Sequence, residues 1–167
     1  NEMEIVYDLT SLADSHGWKL SYTTFFVKTL DKIMKIMVCA SIGYGGINKI
    51  RELYSKLSKE GFEVLNHIDE KQMDYSNVKD FREQKELAKK IVEHDLNYLE
   101  KADTIIAISD DIPSFGTGIE MYVAKKSGKK VILFSPNELP TPWPVNFSDF
   151  VATNENELFD FLHNVEA

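Results

Sequence analysis

Thr104-Ile105-Ile106-Ala107-Ile108-Ser109-Asp110-Asp111-Ile112-Pro113-Ser114-Phe115-Gly116-Thr117-Gly118-Ile119-Glu120 is the stretch on which the reading of this chain turns. Residues 104–109 are short, β-branched and apolar, and an Asp-Asp-x-Pro turn signal closes them, which predicts a buried strand. Around and beyond Glu120 the pattern is helical, with Ile119, Tyr122 and Val123 on one face and Gly128 as the stop. A small-residue loop thus joins the C-terminal end of a strand to the N-terminus of a helix. In an open α/β sheet ligands bind at that position, where unpaired N–H groups can hold an anion. Glu120 is expected in the first helical turn, its carboxylate facing the same crevice. The residues by themselves fit a plainer account equally well: a tight turn at Gly116 and Gly118, and a carboxylate favoured by the helix dipole.

The flanking sequence repeats the arrangement. Upstream, Ile36-Met37-Val38-Cys39 predicts a strand over 35–40, followed by the glycine-rich loop Ser41-Ile42-Gly43-Tyr44-Gly45-Gly46. A helix over 47–60 follows, with Ile50, Leu53, Tyr54 and Leu57 on one face and Gly61 as its stop. Next come a strand at 62–65, a polar segment at 73–82 read as a mobile loop over the site, and a long helix at 83–102. Leu87, Ile91, Leu96 and Leu99 are its expected inward residues, with Asp95 on their flank. Downstream, Val131-Ile132-Leu133-Phe134 is a fourth strand, and 136–144 holds four of the five prolines and reads as a rigid irregular arm. A short strand at 150–152 and a helix over 154–164 complete the pattern.

This order predicts an α/β fold: a doubly wound (Rossmann-like or flavodoxin-like) parallel sheet of about five strands. Its two glycine-rich loops would meet at the crossover, setting Ser41 and Gly46 across a crevice from Ser114, Gly116 and Glu120. Residues 1–33 read differently. Ile5, Leu9, Leu12 and Ala13, then Tyr22, Phe25, Phe26, Leu30 and Ile33, predict an N-terminal helical extension outside an α/β domain of 34–167. It is either an accessory hairpin or a segment foreign to the natural chain, with Met34 as an internal start.

The net charge of −8 over 167 residues argues against nucleic-acid or anionic-membrane partners, which need a basic surface. No apolar run approaches the roughly 20 residues that span a bilayer, and no signal-peptide pattern is present. The single cysteine, Cys39, excludes an internal disulfide and fits a reducing cytoplasm; within an apolar strand it reads as a buried, inert thiol. Four histidines without pair spacing give no metal signature, and nothing calls for a cofactor.

The run I-V-E-H-D-L-N-Y-L-E-K-A-D-T-I-I-A-I-S-D-D-I-P-S-F-G-T-G-I-E-M-Y-V-A at 91–124, with C-A-S-I-G-Y-G-G at 39–46, resembles the nucleoside 2-deoxyribosyltransferase superfamily. Its closest likeness is to the 2′-deoxynucleoside 5′-phosphate N-hydrolase branch. In that family a glutamate at the position of Glu120 attacks C1′ of the sugar, and an aspartate matching Asp95 lies close by. The resemblance implies an N-glycosidase that converts (deoxy)nucleoside 5′-monophosphates to free base and (deoxy)ribose 5-phosphate through a glutamyl-glycosyl intermediate. Asp95 would protonate the departing base, with His67 and His94 as weaker candidates. Transferases acting on free nucleosides tend to carry an acid six residues before the nucleophile, where the hydrolases carry a serine. Here that residue is Ser114, and a hydroxyl suits a phosphate that a carboxylate would repel.

The implied substrate contacts are Ser41, Ile42, Gly43 and Gly46 in the first loop, His67, and Ser114, Gly116 and Gly118 in the second loop. The implied partners are a small-molecule nucleotide and a second copy of the chain, in a homodimer with shared active sites to which Asn146 or Ser148 contributes. Two positions depart from the family pattern. The first-strand tyrosine that orients the nucleophile is Met37, with Tyr44 as a nearby substitute. The arginine that follows Ser-Ile is Gly43, with Lys49 and Arg51 the cations that could approach in its place. Alternatives are a deoxyribosyltransferase, a cytokinin-type phosphoribohydrolase, and a nucleotide-binding sensor without catalysis.

Overall fold

Strand β1 (Lys35–Cys39) has apolar side chains on both faces, because it lies inside a sheet covered on both sides. Ile36 and Val38 enter one apolar layer, Met37 and Cys39 the other, as alternation along a strand requires. The computed structural model describes residues 33–69, 74–109 and 113–165; the segment predicted as an N-terminal helical extension lies outside them, Ile33 apart. β2 (Glu63–Val64), β3 (Thr104–Ile108), β4 (Lys130–Phe134) and β5 (Phe150–Ala152) complete an all-parallel sheet in the order β2-β1-β3-β4-β5. Helices α1 (Ile47–Lys59) and α5 (Glu155–Asn164) cover the Ile36 face, while α2 (Lys85–Lys101) and α3 (Phe115–Lys126) cover the Met37 face. The chain leaves β1 towards β2 and crosses back to β3, so the strand order reverses between β1 and β3. The doubly wound sheet of about five strands predicted from the sequence is the one observed.

Four local features differ from the sequence reading, each for a physical reason. β2 is only two residues long, and Leu65 makes the last backbone bond to β1, donating to Ile36 O at 2.8 Å. Beyond it the Tyr54 hydroxyl takes the place of a strand, accepting from Val38 N–H at 3.1 Å and donating to Leu65 O at 2.7 Å. Helix α2 is rotated from the expected face: it buries Ile91, His94, Asp95, Tyr98 and Leu99, leaving Leu87 exposed and Leu96 half-buried. The rotation is tolerable because His94 finds a partner, its Nε2–H donating to His67 O at 2.8 Å, and stacks on Tyr98 at 4.7 Å.

Helix α3 begins at Phe115, so Gly116 and Gly118 are helical rather than loop residues. Ser114 is the cap, its Oγ accepting from Thr117 N–H at 3.3 Å. The buried face of α3 is Met121 and Ala124, while Ile119 and Tyr122 are exposed. The proline arm ends in a short helix, α4 (Trp143–Phe147), with Pro144 in its first turn, where a missing N–H breaks no helical bond.

Residues 74–82 are tied to α1 at one end and fold on themselves by a ring contact. Arg51 donates to Asp69 and Asp74, and Tyr75 packs edge-on against Phe81 at 5.8 Å. Among the described residues no helix is long and apolar enough to cross a membrane.

Among the described residues the Tyr54 hydroxyl is the acceptor for the buried Val38 N–H. Tyr54→Phe is therefore expected to lower unfolding free energy by about 1–3 kcal/mol, the usual loss for a stranded buried donor, as measured by urea denaturation.

Candidate active site

The two loops predicted to face one another do so at the strand-order reversal, where such folds bind ligands. After β1 the chain folds tightly back. A single 3-10 turn spans Ile42–Tyr44, and Ser41 O accepts from both Tyr44 N–H at 3.1 Å and Gly46 N–H at 3.0 Å. Position 46 has no room for a side chain, since a Cβ there would stand 2.9 Å from Ser41 O. Ser41 and Ile42 are buried by this turn. At Gly43 a Cβ would meet nothing within 4 Å, so the space for a larger side chain is open.

Across the crevice, the Ser114 cap fixes where α3 starts. Phe115 N–H and Gly116 N–H stand in the first turn, beyond the reach of any intrahelical carbonyl, and mark the positive end of the helix. Ser41, Ser109, Ser114 and Thr117 share the lining of a cavity of about 810 Å³ beside α3. The Thr117 hydroxyl is buried with no partner among the described residues. The remaining wall is apolar and includes Tyr122, Leu139, Trp143 and Phe147.

Asp95 and Glu120 do not line that cavity. They meet between α2, α3 and the end of β1. Glu120 lies in the second turn of α3 rather than the first, because the Ser114 cap starts the helix early. Burial first, and then the neighbouring Asp95 carboxylate, raise its pKa to about 7 against the opposing influence of the Cys39 thiol. Asp95, 9 % exposed, is raised to about 6 by burial, with His94 opposing. Such a pair shares its protons: one carboxyl ionises well before the other. The Cys39 thiol is pushed well above its ordinary value by burial, then by Glu120 and Asp95. Tyr75 is raised by burial and by the charges of Asp95, Glu120 and Cys39, which puts it in the same crevice.

The other predicted residues are distributed less simply. His67 is 2 % exposed and held neutral, burial lowering it to about 4. Its Nδ1 lies 3.0 Å from the Tyr54 hydroxyl, whose own proton goes to Leu65 O, so His67 carries its hydrogen on Nδ1. The ring is thus engaged beneath the site rather than open to it. His94 is likewise committed, to His67 O. Tyr44 is 69 % exposed, and Met37 is fully buried in the core. Arg51 is held by Asp69 and Asp74 and Lys49 lines a separate pocket of about 290 Å³ with Lys56 and Glu155. Asn146 is exposed on α4, and Ser148 closes that helix, its Oγ donating to Val145 O.

Sequence reasoning missed Cys39 and Tyr75 as neighbours of the carboxylates. For Cys39 the signal was present: strand alternation places it on the α2/α3 face at the very end of β1. Tyr75 sits in a polar stretch with no periodicity to orient it.

Residues 46–162 match the nucleoside 2-deoxyribosyltransferase family. No curated protein sequence matches the chain. Among solved structures, the chain is similar to a 2-deoxyribosyltransferase from the psychrotolerant bacterium Bacillus psychrosaccharolyticus, with 21 % identity and a TM-score of 0.58. That similarity covers 74 % of this chain and 89 % of the other, and at such identity it speaks to fold. A CMP N-glycosidase of Clostridium botulinum, BcmB, aligns at 19 % identity and a TM-score of 0.48, over 77 % of this chain and 97 % of the other. With the family match extending from the first glycine-rich loop to the last helix and taking in both carboxylates, the chain belongs to the nucleoside 2-deoxyribosyltransferase family, whose members are enzymes acting on N-glycosyl bonds.

Proposed function

We propose that this protein hydrolyses the N-glycosidic bond of nucleoside 5′-monophosphates, releasing free base and the sugar 5-phosphate. The observation that carries this reading is the close carboxylate pair of buried Asp95 and half-buried Glu120, beside a serine-capped helix N-terminus. Glu120, ionised, attacks C1′; the C1′–N bond breaks and its electron pair leaves with the base. Asp95, protonated, gives that base a proton. Water then attacks C1′, Asp95 takes up the water's proton, and Glu120 is released with its negative charge. The first step needs one carboxyl protonated and one ionised, the singly protonated state that a closely coupled pair favours, and the second step returns the pair to it.

Ser41, Ser114 and the first N–H groups of α3 supply neutral donors for the 5′-phosphate. No acid stands at position 114, and Gly43 leaves room for an anion without presenting a charge. Protein at the surface contributes as well. Phe115, Ile119 and Tyr122 are exposed at helical spacing on α3, and the Tyr122 ring meets Phe147 of α4 at 5.5 Å, beside exposed Trp143. This apolar strip starts next to Ser114 and supports a homodimer in which a second copy covers each cavity. Light scattering is expected to give a dimer, and Ile119→Asp a monomer with reduced activity; a monomeric, fully active wild type would remove the second copy from the reading.

The direct test is base release from a panel of ribo- and deoxyribonucleoside 5′-monophosphates and the matching nucleosides. Release is expected from monophosphates only, and Glu120→Ala should lower it roughly a thousandfold or more while nucleotide binding survives. Base exchange between free nucleosides, with none released from monophosphates, would assign the transferase reaction instead.

The pair also makes a stability prediction. A carboxyl whose folded pKa is raised favours folding while protonated, and that contribution is lost as pH climbs from about 4.5 through about 7. Glu120→Gln is therefore expected to unfold at a higher temperature than wild type at pH 8, its unfolding free energy greater by on the order of 3 kcal/mol, and to match it near pH 5. Equal melting at both pH values would show that Glu120 ionises freely in the folded state.

A further inference from the structure

We propose that Cys39 is a positioning residue for Glu120: its thiol donates a hydrogen bond to the Glu120 carboxylate and fixes the orientation in which that group meets C1′. The inference rests on Glu120 being the nucleophile. It starts from the parity of β1. Met37 and Cys39 share the face that packs on α2 and α3, and Cys39 is the last residue of the strand, directly under the open end of the sheet. At 1 % exposure it is sealed among Tyr98, Ala107, Met121 and their neighbours. Glu120 precedes Met121 and stands one turn before Ala124, both of which share that layer with Cys39, so the helix brings its carboxylate to the strand end where the thiol lies.

The chemistry of the contact is one-directional. A buried thiolate beside Glu120 and Asp95 would be strongly disfavoured, so Cys39 keeps its proton and acts as a donor at every working pH. The thiol is a weak donor, which suits the task. It can hold one carboxylate oxygen without neutralising the other, which remains to form the bond to C1′. The titratable groups facing Glu120 are Cys39 from β1, Asp95 from α2, Tyr54 from α1 and Tyr75 from the segment after β2. Of these, Cys39 is the one whose hydrogen bond favours the ionised nucleophile. Met37, where the family pattern has its orienting tyrosine, is fully buried and apolar; the next residue on the same face takes over the donor role.

Serine and alanine leave nearly the same space at this position and differ chiefly by a donor. The test compares wild type, Cys39→Ser and Cys39→Ala, following the Glu120 carboxyl by 13C NMR titration and nucleotide hydrolysis by kcat and KM. Cys39→Ala is expected to raise the Glu120 titration by about half a pH unit or more and to lower kcat about tenfold with KM retained. Cys39→Ser should restore both towards wild type. A Glu120 titration identical in all three proteins overturns the proposal, as does an unshifted kcat in a folded Cys39→Ala. Absence of hydrolysis in wild type, with the titration still moving, would instead count against the function proposed above and leave the hydrogen bond standing.

Discussion

Holding two largely desolvated carboxylates within reach of one another is the constraint that the rest of this structure serves. A glutamate moved from an ordinary 4.5 to about 7 destabilises the fold by on the order of 3 kcal/mol once ionised, a large fraction of the stability of a domain this size. The surrounding elements must offset that penalty without hydrating the pair. They do so by holding the two groups on separate helices whose inward faces are otherwise largely apolar. Ile91 and Leu99 flank Asp95 along α2, and Met121 and Ala124 follow Glu120 along α3. The polar groups that intrude are satisfied: His94 by His67 O, and His67 by Tyr54.

The sheet topology makes such an arrangement available. Because the strand order reverses between β1 and β3, the loops leaving those strands diverge and open a crevice at their C-terminal ends. The reversal also leaves β1 with a weak neighbour on one side, since β2 pairs over only two residues. Tyr54 repairs that edge from α1, and the same hydroxyl fixes the hydrogen position on His67. The site's floor and the sheet's edge are thus one hydrogen-bonded unit, in which a change at Tyr54 propagates to both.

The fold was legible in the sequence because its signals are local and redundant. The central strands β1, β3 and β4 show β-branched apolar runs, and α1 and α5 end close to the predicted stops at Gly61 and Asn164. The site was legible in outline: Ser41, Gly46, Asp95, Ser114 and Glu120 do converge on one end of the sheet. The errors came where polar residues carry the packing. Leu87 and Leu96 suggested one face for α2, and the structure buries His94 and Asp95 instead, a choice that only the tertiary partner His67 explains. Glycines at 116 and 118 suggested a loop, because intrinsic propensity disfavours them in helices; the Ser114 cap and the packing of Met121 and Ala124 outweigh that preference. His67 was read as a substrate contact from its place after β2, but a buried imidazole with a committed tautomer belongs to the scaffold.

The early start of α3 changes how an acidic chain handles an anionic substrate. A glycine loop would have offered scattered N–H groups; a capped helix aligns them, adds the helix dipole, and sets Ser114 at the focus. With Gly43 in the first loop, and Arg51 already engaged by Asp69 and Asp74, the donors assembled near Ser41 and Ser114 are neutral ones. Neutral donors suit a site whose two carboxyls must hold one proton between them near pH 7. A guanidinium set beside the carboxylate pair would pull both titrations down and remove the mixed protonation state that the proposed chemistry uses. The two departures from the family pattern both leave uncharged residues: Met37 is fully buried and offers no hydrogen bond, and Gly43 withholds a cation that would lower Glu120. Against those two, the thiol of Cys39 is the group that restrains the rise.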